Sequence, residues 1–106
     1  MAKEKKNYLT VDRIREGVVF KFAMLKKDHP LRNRFFMKHK NGYLDMSNGA
    51  FSMYDPDNPY VVELVDDYTL SKKFVKGPSW VEAWKEQIIL IHSIQEKNEK
   101  GKYRNS

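Results

Sequence analysis

Two Asn-Gly dipeptides, Asn41-Gly42 and Asn48-Gly49, stand seven residues apart in this 106-residue chain. Asn-Gly is the pair best able to hold φ > 0 at both centres of a type I′ hairpin turn, so two at this spacing predict three short antiparallel strands. Two-residue loops then set the register. Across the first turn Lys40 faces Tyr43, His39 faces Leu44, Lys38 faces Asp45 and Met37 faces Met46; across the second, Ser47 faces Ala50, Met46 faces Phe51 and Leu44 faces Met53. Strand side chains alternate, so a slip of one residue would exchange the faces. In this register Met37, His39, Leu44, Met46, Phe51 and Met53 fall on one side, extended by Phe35; Met37, Leu44, Met46, Phe51 and Met53 are expected to be buried together, with His39 at the edge of the core. Arg34, Phe36, Lys38, Lys40, Tyr43, Asp45, Ser52 and Tyr54 fall on the other, a polar face rich in aromatic rings.

The flanking segments complete an α+β plan. Thr10 is an N-cap candidate, Val11 and Ile14 are three apart, and Gly17 suits a left-handed cap, which predicts one short helical turn. Residues 18–22 alternate, with Val18, Phe20 and Phe22 on one strand face and Lys21 on the other. Residues 24–33 read as a solvated loop, 55–59 as a Pro-bound turn, 60–65 as a strand, and 66–77 as a strand or short turn. Ser79 followed by Glu82, directly after Gly77-Pro78, is a capping-box pattern that predicts a helix over 80–97. Its stripe runs through Val81, Trp84, Ile88, Ile91 and Ile94 or Gln95, and Trp80, Ile89 and Leu90 widen it. The expected architecture is a single α+β domain over 1–106, a small bent antiparallel sheet of four to five strands, SH3-like barrel or meander, with a C-terminal α-helix and loose ends at 1–7 and 99–106.

Composition narrows the function classes. Hydrophobic residues at 41% and aromatics at 13% suit a folded domain with an aromatic core. There is no cysteine, which excludes disulfides and thiolate metal sites. No apolar run exceeds four residues, as at 88–91, against the roughly 20 needed to span a bilayer, and the charged start does not read as a signal peptide. No membrane association and a cytoplasmic setting are expected. No nucleophile elbow, phosphate-binding glycine loop or zincin motif occurs. His29, His39 and His92 lack metal-motif spacing, and Asp55 and Asp57 read as turn formers rather than cation ligands. The expectation is a non-enzymatic protein with no catalytic residue, no metal site and no cofactor.

Charge is sorted into blocks: residues 21–40 hold seven Lys or Arg against Asp28, and 43–67 hold six Asp or Glu and no basic residue. The expected register sets Lys38 against Asp45, so part of the contrast is spent on cross-strand pairing. Two binding surfaces remain. On the polar sheet face Arg34, Lys38 and Lys40 stand beside Phe36, Tyr43 and Tyr54, cations and rings able to meet phosphates and stack bases. Asp45 within that face, and the acidic block after it, weigh against a phosphate track. On the helix, Trp80 and Trp84 are candidate anchors, and the widened apolar surface is either buried by the sheet or covered by a protein partner or a second copy. Docking on a protein is the first reading and nucleic-acid binding the alternative.

The pattern Ile14-x-x-Gly17-x-x-Phe20-x-Phe22, then a basic and aromatic strand, Asn-Gly, Tyr43-Leu44 and Val61-Val62, resembles small SH3-like β-barrel proteins of the kind bacteriophages encode. The resemblance covers about residues 9–65, leaves out the C-terminal helix, and implies an adaptor or host-directed inhibitor without catalytic residues.

Overall fold

A computed structural model describes the backbone of residues 9–57 and 60–104 and the side chains of those up to 98. Five strands, β1 (Val19–Phe22), β2 (Phe36–His39), β3 (Gly42–Asp45), β4 (Phe51–Met53) and β5 (Val62–Leu64), form one open antiparallel sheet in the order β4-β3-β2-β1-β5. Helices α1 (Asp67–Phe74) and α2 (Val81–Arg104) follow, α2 entered through the 3-10 turn Pro78–Trp80; a second 3-10 turn, Val11–Arg13, precedes β1. The fold is α+β with a C-terminal helix.

Both hairpins form, each two residues out of the expected register. Lys38 pairs with Tyr43 and Met37 with Leu44, so the first loop is Lys40-Asn41, with Lys40 at φ 52°. Gly42 is not a turn centre. It lies in β3 where a Cβ would fall 2.1 Å from the Ser52 carbonyl oxygen, so glycine is required for the approach of β4. The second loop runs from Asp45 to Ala50 and is organised by Asp45, whose Oδ1 accepts from the Ser47 N–H at 2.8 Å and whose carbonyl accepts from the Gly49 N–H at 2.8 Å. Gly49 takes φ 76°, and a Cβ there would sit 2.9 Å from Ile91 of α2. Because each slip is even, face assignments survive while partners change. Lys38 does not face Asp45; Arg34 does the pairing, at 3.7 Å.

The larger correction concerns burial, which is two-sided along β1 and β2. On one face Val19, Met37, Leu44 and Met46 pack with Leu70, Val81 and Ile88 of the helices. Phe51 lies partly buried against this core, but Met53, expected to join it, is 64% exposed at the end of an edge strand. On the other face Phe20, Phe22, Phe36 and Val62 are covered by Val11 and Ile14 of the N-terminal turn. Phe20 is paired with Phe36 across β1–β2, so the aromatic rows of the two strands lie on one side. Ring centroids stand 5.2 Å apart for Phe22–Phe36 and for Phe36–Tyr43. Each such ring buried is worth about 1.5–3 kcal/mol, reason enough for the face to be covered.

Residues 66–77, expected to be strand or turn, contain α1. Asp66 is its N-cap, accepting from the Thr69 N–H at 2.7 Å, a bond that holds its carboxyl below the usual range. Lys72 and Lys73 occupy the last turn, where cations suit the helix dipole. Ser79 lies inside the 3-10 turn rather than at the start of α2, and α2 runs on to Arg104, through the stretch expected to be a tail. The loose end expected at 1–7 lies outside the described residues.

Gly42→Ala is expected to destabilise the protein by about 1–3 kcal/mol, the cost of forcing strands apart, whereas Gly77→Ala, with open space around its Cβ, stays within about 0.5 kcal/mol. Urea unfolding of the two variants checks the contrast.

Candidate docking surface

The residues expected to form a cationic and aromatic sheet face do not share an open surface. Phe36 is buried, and Tyr43 is half-buried, its hydroxyl pushed above the usual range by burial. Lys38 directs its ammonium to the carbonyl oxygens of Val11 at 3.0 Å and Ile14 at 3.2 Å. This closes the N-terminal turn over the rings, using an expected phosphate ligand to satisfy backbone acceptors. Tyr54 is half-buried at the rim of the same cluster. Arg34 and Lys40 are exposed but apart, Arg34 on Asp45 and Lys40 in the hairpin loop. The signal for the cover was Val11 and Ile14, apolar residues that must be buried somewhere. Lys38→Met is expected to cost about 1.5–3 kcal/mol, the range for hydrogen bonds to a charged donor, and to speed amide exchange at Ile14, whose N–H bonds within the turn.

The two tryptophans have different fates. Trp84 is half-buried, its Nε1–H donates to the Met46 carbonyl at 3.1 Å, and its ring stacks on Phe74 at 6.0 Å. Trp80, one turn earlier, is 57% exposed. Between them opens a groove of about 440 Å³ lined by Val75, Lys76, Trp80, Ala83, Trp84 and Gln87. Further along α2, Leu90 is 52% and Ile94 51% exposed. At 3.6 residues per turn, positions 83, 87, 90 and 94 form one seam of α2, extended by Trp80 at the end of the 3-10 turn, beside the buried stripe of Val81, Ile88 and His92. The widened apolar surface expected of this helix is therefore not consumed by the core.

A second polar feature lies where β2 meets α2. His39 and His92 are both buried, with ring centroids 5.5 Å apart, and Phe51 stands 5.3 Å from His92. His39 Nδ1 lies 3.3 Å from Glu16 Oε2 without hydrogen-bond alignment. Burial pushes the His39 imidazole below its ordinary 6.5, opposed by the Glu16 carboxylate and reinforced by His92 and Lys40. Among the described residues no three His, Cys, Asp or Glu side chains are arranged to hold a metal ion. Asp55 accepts from the Asp57 N–H at 2.9 Å and so forms the turn expected of it. No described helix is long and apolar enough to cross a membrane.

The loop cations have neighbours that local sequence patterns did not assign to them. Lys73 of α1 donates to the Asn33 carbonyl at 3.1 Å and lies 5.3 Å from the Phe35 ring centroid. This brings the basic end of α1 to the loop that carries Lys26, Lys27 and Arg32, all exposed.

The lowered His39 value fixes the sign of a pH effect. Above about 6.5 both folded and unfolded chains keep this imidazole neutral; as pH falls below it, the unfolded chain takes up a proton the folded one resists, and stability is lost down to the folded value. Urea midpoints measured from pH 7.5 to 5 should fall for the native chain and fall less steeply for His39→Gln.

Comparison of the chain with protein-family models, with curated proteins and with solved structures finds no match.

Proposed function

We propose that the chain is a non-enzymatic binding module that docks on a protein partner through the outward seam of α2. The observation that carries this reading is Trp80, 57% exposed at the lip of an apolar groove, with Leu90 and Ile94 continuing the same side. An exposed large ring beside a preformed concavity is the kind of anchor on which interface energy concentrates. Trp84 and Val75 line the groove, and Trp84 is held by its bond to Met46, so the concavity exists before a partner arrives. The resemblance to small phage-encoded proteins fits an adaptor or inhibitor of this kind.

A second reading, contact with a polyanion such as nucleic acid, is favoured by the Lys73–Asn33 contact, which brings the basic end of α1 to the 24–33 loop and its exposed cations. It uses Lys26, Lys27, Arg32 and Lys73, in place of the covered sheet face.

Affinity capture from a lysate of the cell of origin, with and without nuclease, separates the readings. Trp80→Ala should weaken capture of the bound protein on the order of 30-fold, the effect of a 2 kcal/mol hot spot, while leaving the urea midpoint unchanged. Capture indifferent to Trp80→Ala but abolished by nuclease, by added salt or by Lys26→Glu with Lys27→Glu overturns protein docking and supports the polyanion reading.

A further inference from the structure

The seam on α2 differs at its two ends. Its N-terminal end is concave, because Ala83 is small and Trp80, Trp84 and Val75 rise around it to make the groove. Its C-terminal end is convex, because Leu90 and Ile94 project into solvent and every described residue after His92 is exposed. Hollow and knob lie on the same helix about 11 residues apart, roughly 16 Å along the axis at 1.5 Å per residue. A surface carrying both halves of a complementary pair on one straight element matches itself when turned end for end, the condition for an isologous two-fold contact.

Resting on the α2 docking surface proposed above, we infer that its occupant is a second copy of this chain, with the two α2 helices packed antiparallel. A two-fold axis between Gln87 and Leu90 sets Gln87 of each helix against Leu90 of the other and Ala83 against Ile94, so that each Ile94 enters the groove of the partner copy. The outermost layer sets Lys97 against Trp80, an ammonium over an indole face. It also sets Lys97 on the side of the seam that carries Glu82 of the other copy, one cation toward one carboxylate. The alternation 80-83-87-90-94 is the three-four spacing by which two helices pack at a shallow angle. A parallel pairing is worse on each count, since it stacks Trp80 on Trp80 and sets hollow against hollow, knob against knob. The helix beyond Gln95, whose amide donates to the Asn48 carbonyl at 3.1 Å, then flanks the partner copy.

Sedimentation equilibrium of the full chain, from about 1 μM to about 1 mM, the range in which a small interface of this kind dissociates, tests the pairing. The native chain should pass from monomer to dimer. Ile94→Glu should shift that transition at least tenfold upward in concentration, with circular dichroism unchanged because the side chain is exposed in the monomer. Adding Ala83→Lys to Ile94→Glu should recover most of the shift, because antiparallel packing brings the introduced ammonium of each copy to the introduced carboxylate of the other, twice per dimer. A native chain that stays monomeric throughout overturns the self-partner and leaves docking on another protein to be judged by the Trp80→Ala capture. Dimers that survive Ile94→Glu, or that the double variant fails to restore, also overturn it.

Discussion

The orientation of α2 depends on the loop between β3 and β4. Asp45 folds that loop around its own carboxylate, Gly49 supplies the left-handed residue, and the missing Cβ of Gly49 admits Ile91 of the helix. The carbonyls thus presented are taken up by α2 side chains, Met46 by Trp84 Nε1–H and Asn48 by Gln95 Nε2–H. These bonds are worth only about 0.5–1.5 kcal/mol each, but they are directional, and apolar packing is not. They select which side of a broadly apolar helix turns inward. Once Val81, Ile88 and His92 face the sheet, Trp80, Leu90 and Ile94 face solvent. The candidate site follows from the loop as much as from the helix.

The opposite face of the sheet follows a different logic. Phe20, Phe22, Phe36 and Tyr43 form an aromatic layer too large to leave wet, and the short N-terminal turn covers it with Val11 and Ile14. The Val11 carbonyl of that turn already accepts from the Ile14 N–H, and Lys38 reaches across to donate both to it and to the Ile14 carbonyl. A basic residue on a sheet face is ordinarily read as surface chemistry. Here the side chain is half-buried and its charge closes a backbone, a use that long cationic side chains permit.

How much of this was legible depends on the range of the interaction. The hairpins were readable from Asn41-Gly42 and Asn48-Gly49, and the burial of Met37, Leu44 and Met46 followed from parity even though both registers were two residues out. The slips arise from features that local turn preference does not contain: the close approach of Ser52 to Gly42, and the carboxylate of Asp45 capturing the second loop. Helix α1 was missed because Lys72, Lys73 and Tyr68 obscure a stripe of only Leu70 and Phe74, although Asp66 before Thr69 was a usable cap signal. The covered aromatic face was missed because it requires β1 to lie beside β2, a pairing between residues about sixteen apart. That apolar side chains of this helix would be left outside the core, as Trp80, Leu90 and Ile94 are, was legible from an apolar arc wider than one stripe can bury. That Trp84 belongs to the fold instead could be learned only from its partner, the Met46 carbonyl.

The central claim is that Trp84 of α2 turns into the protein and Trp80, in the 3-10 turn that enters α2, turns out of it. Acrylamide quenching of the single-tryptophan variants Trp84→Phe and Trp80→Phe, at sub-micromolar concentration to hold the chain monomeric, measures this directly. The account predicts that Trp80, alone in the first variant, is quenched nearly as readily as free tryptophan, while Trp84, alone in the second, is protected. Equal quenching of the two, or protection of Trp80 and exposure of Trp84, would contradict it.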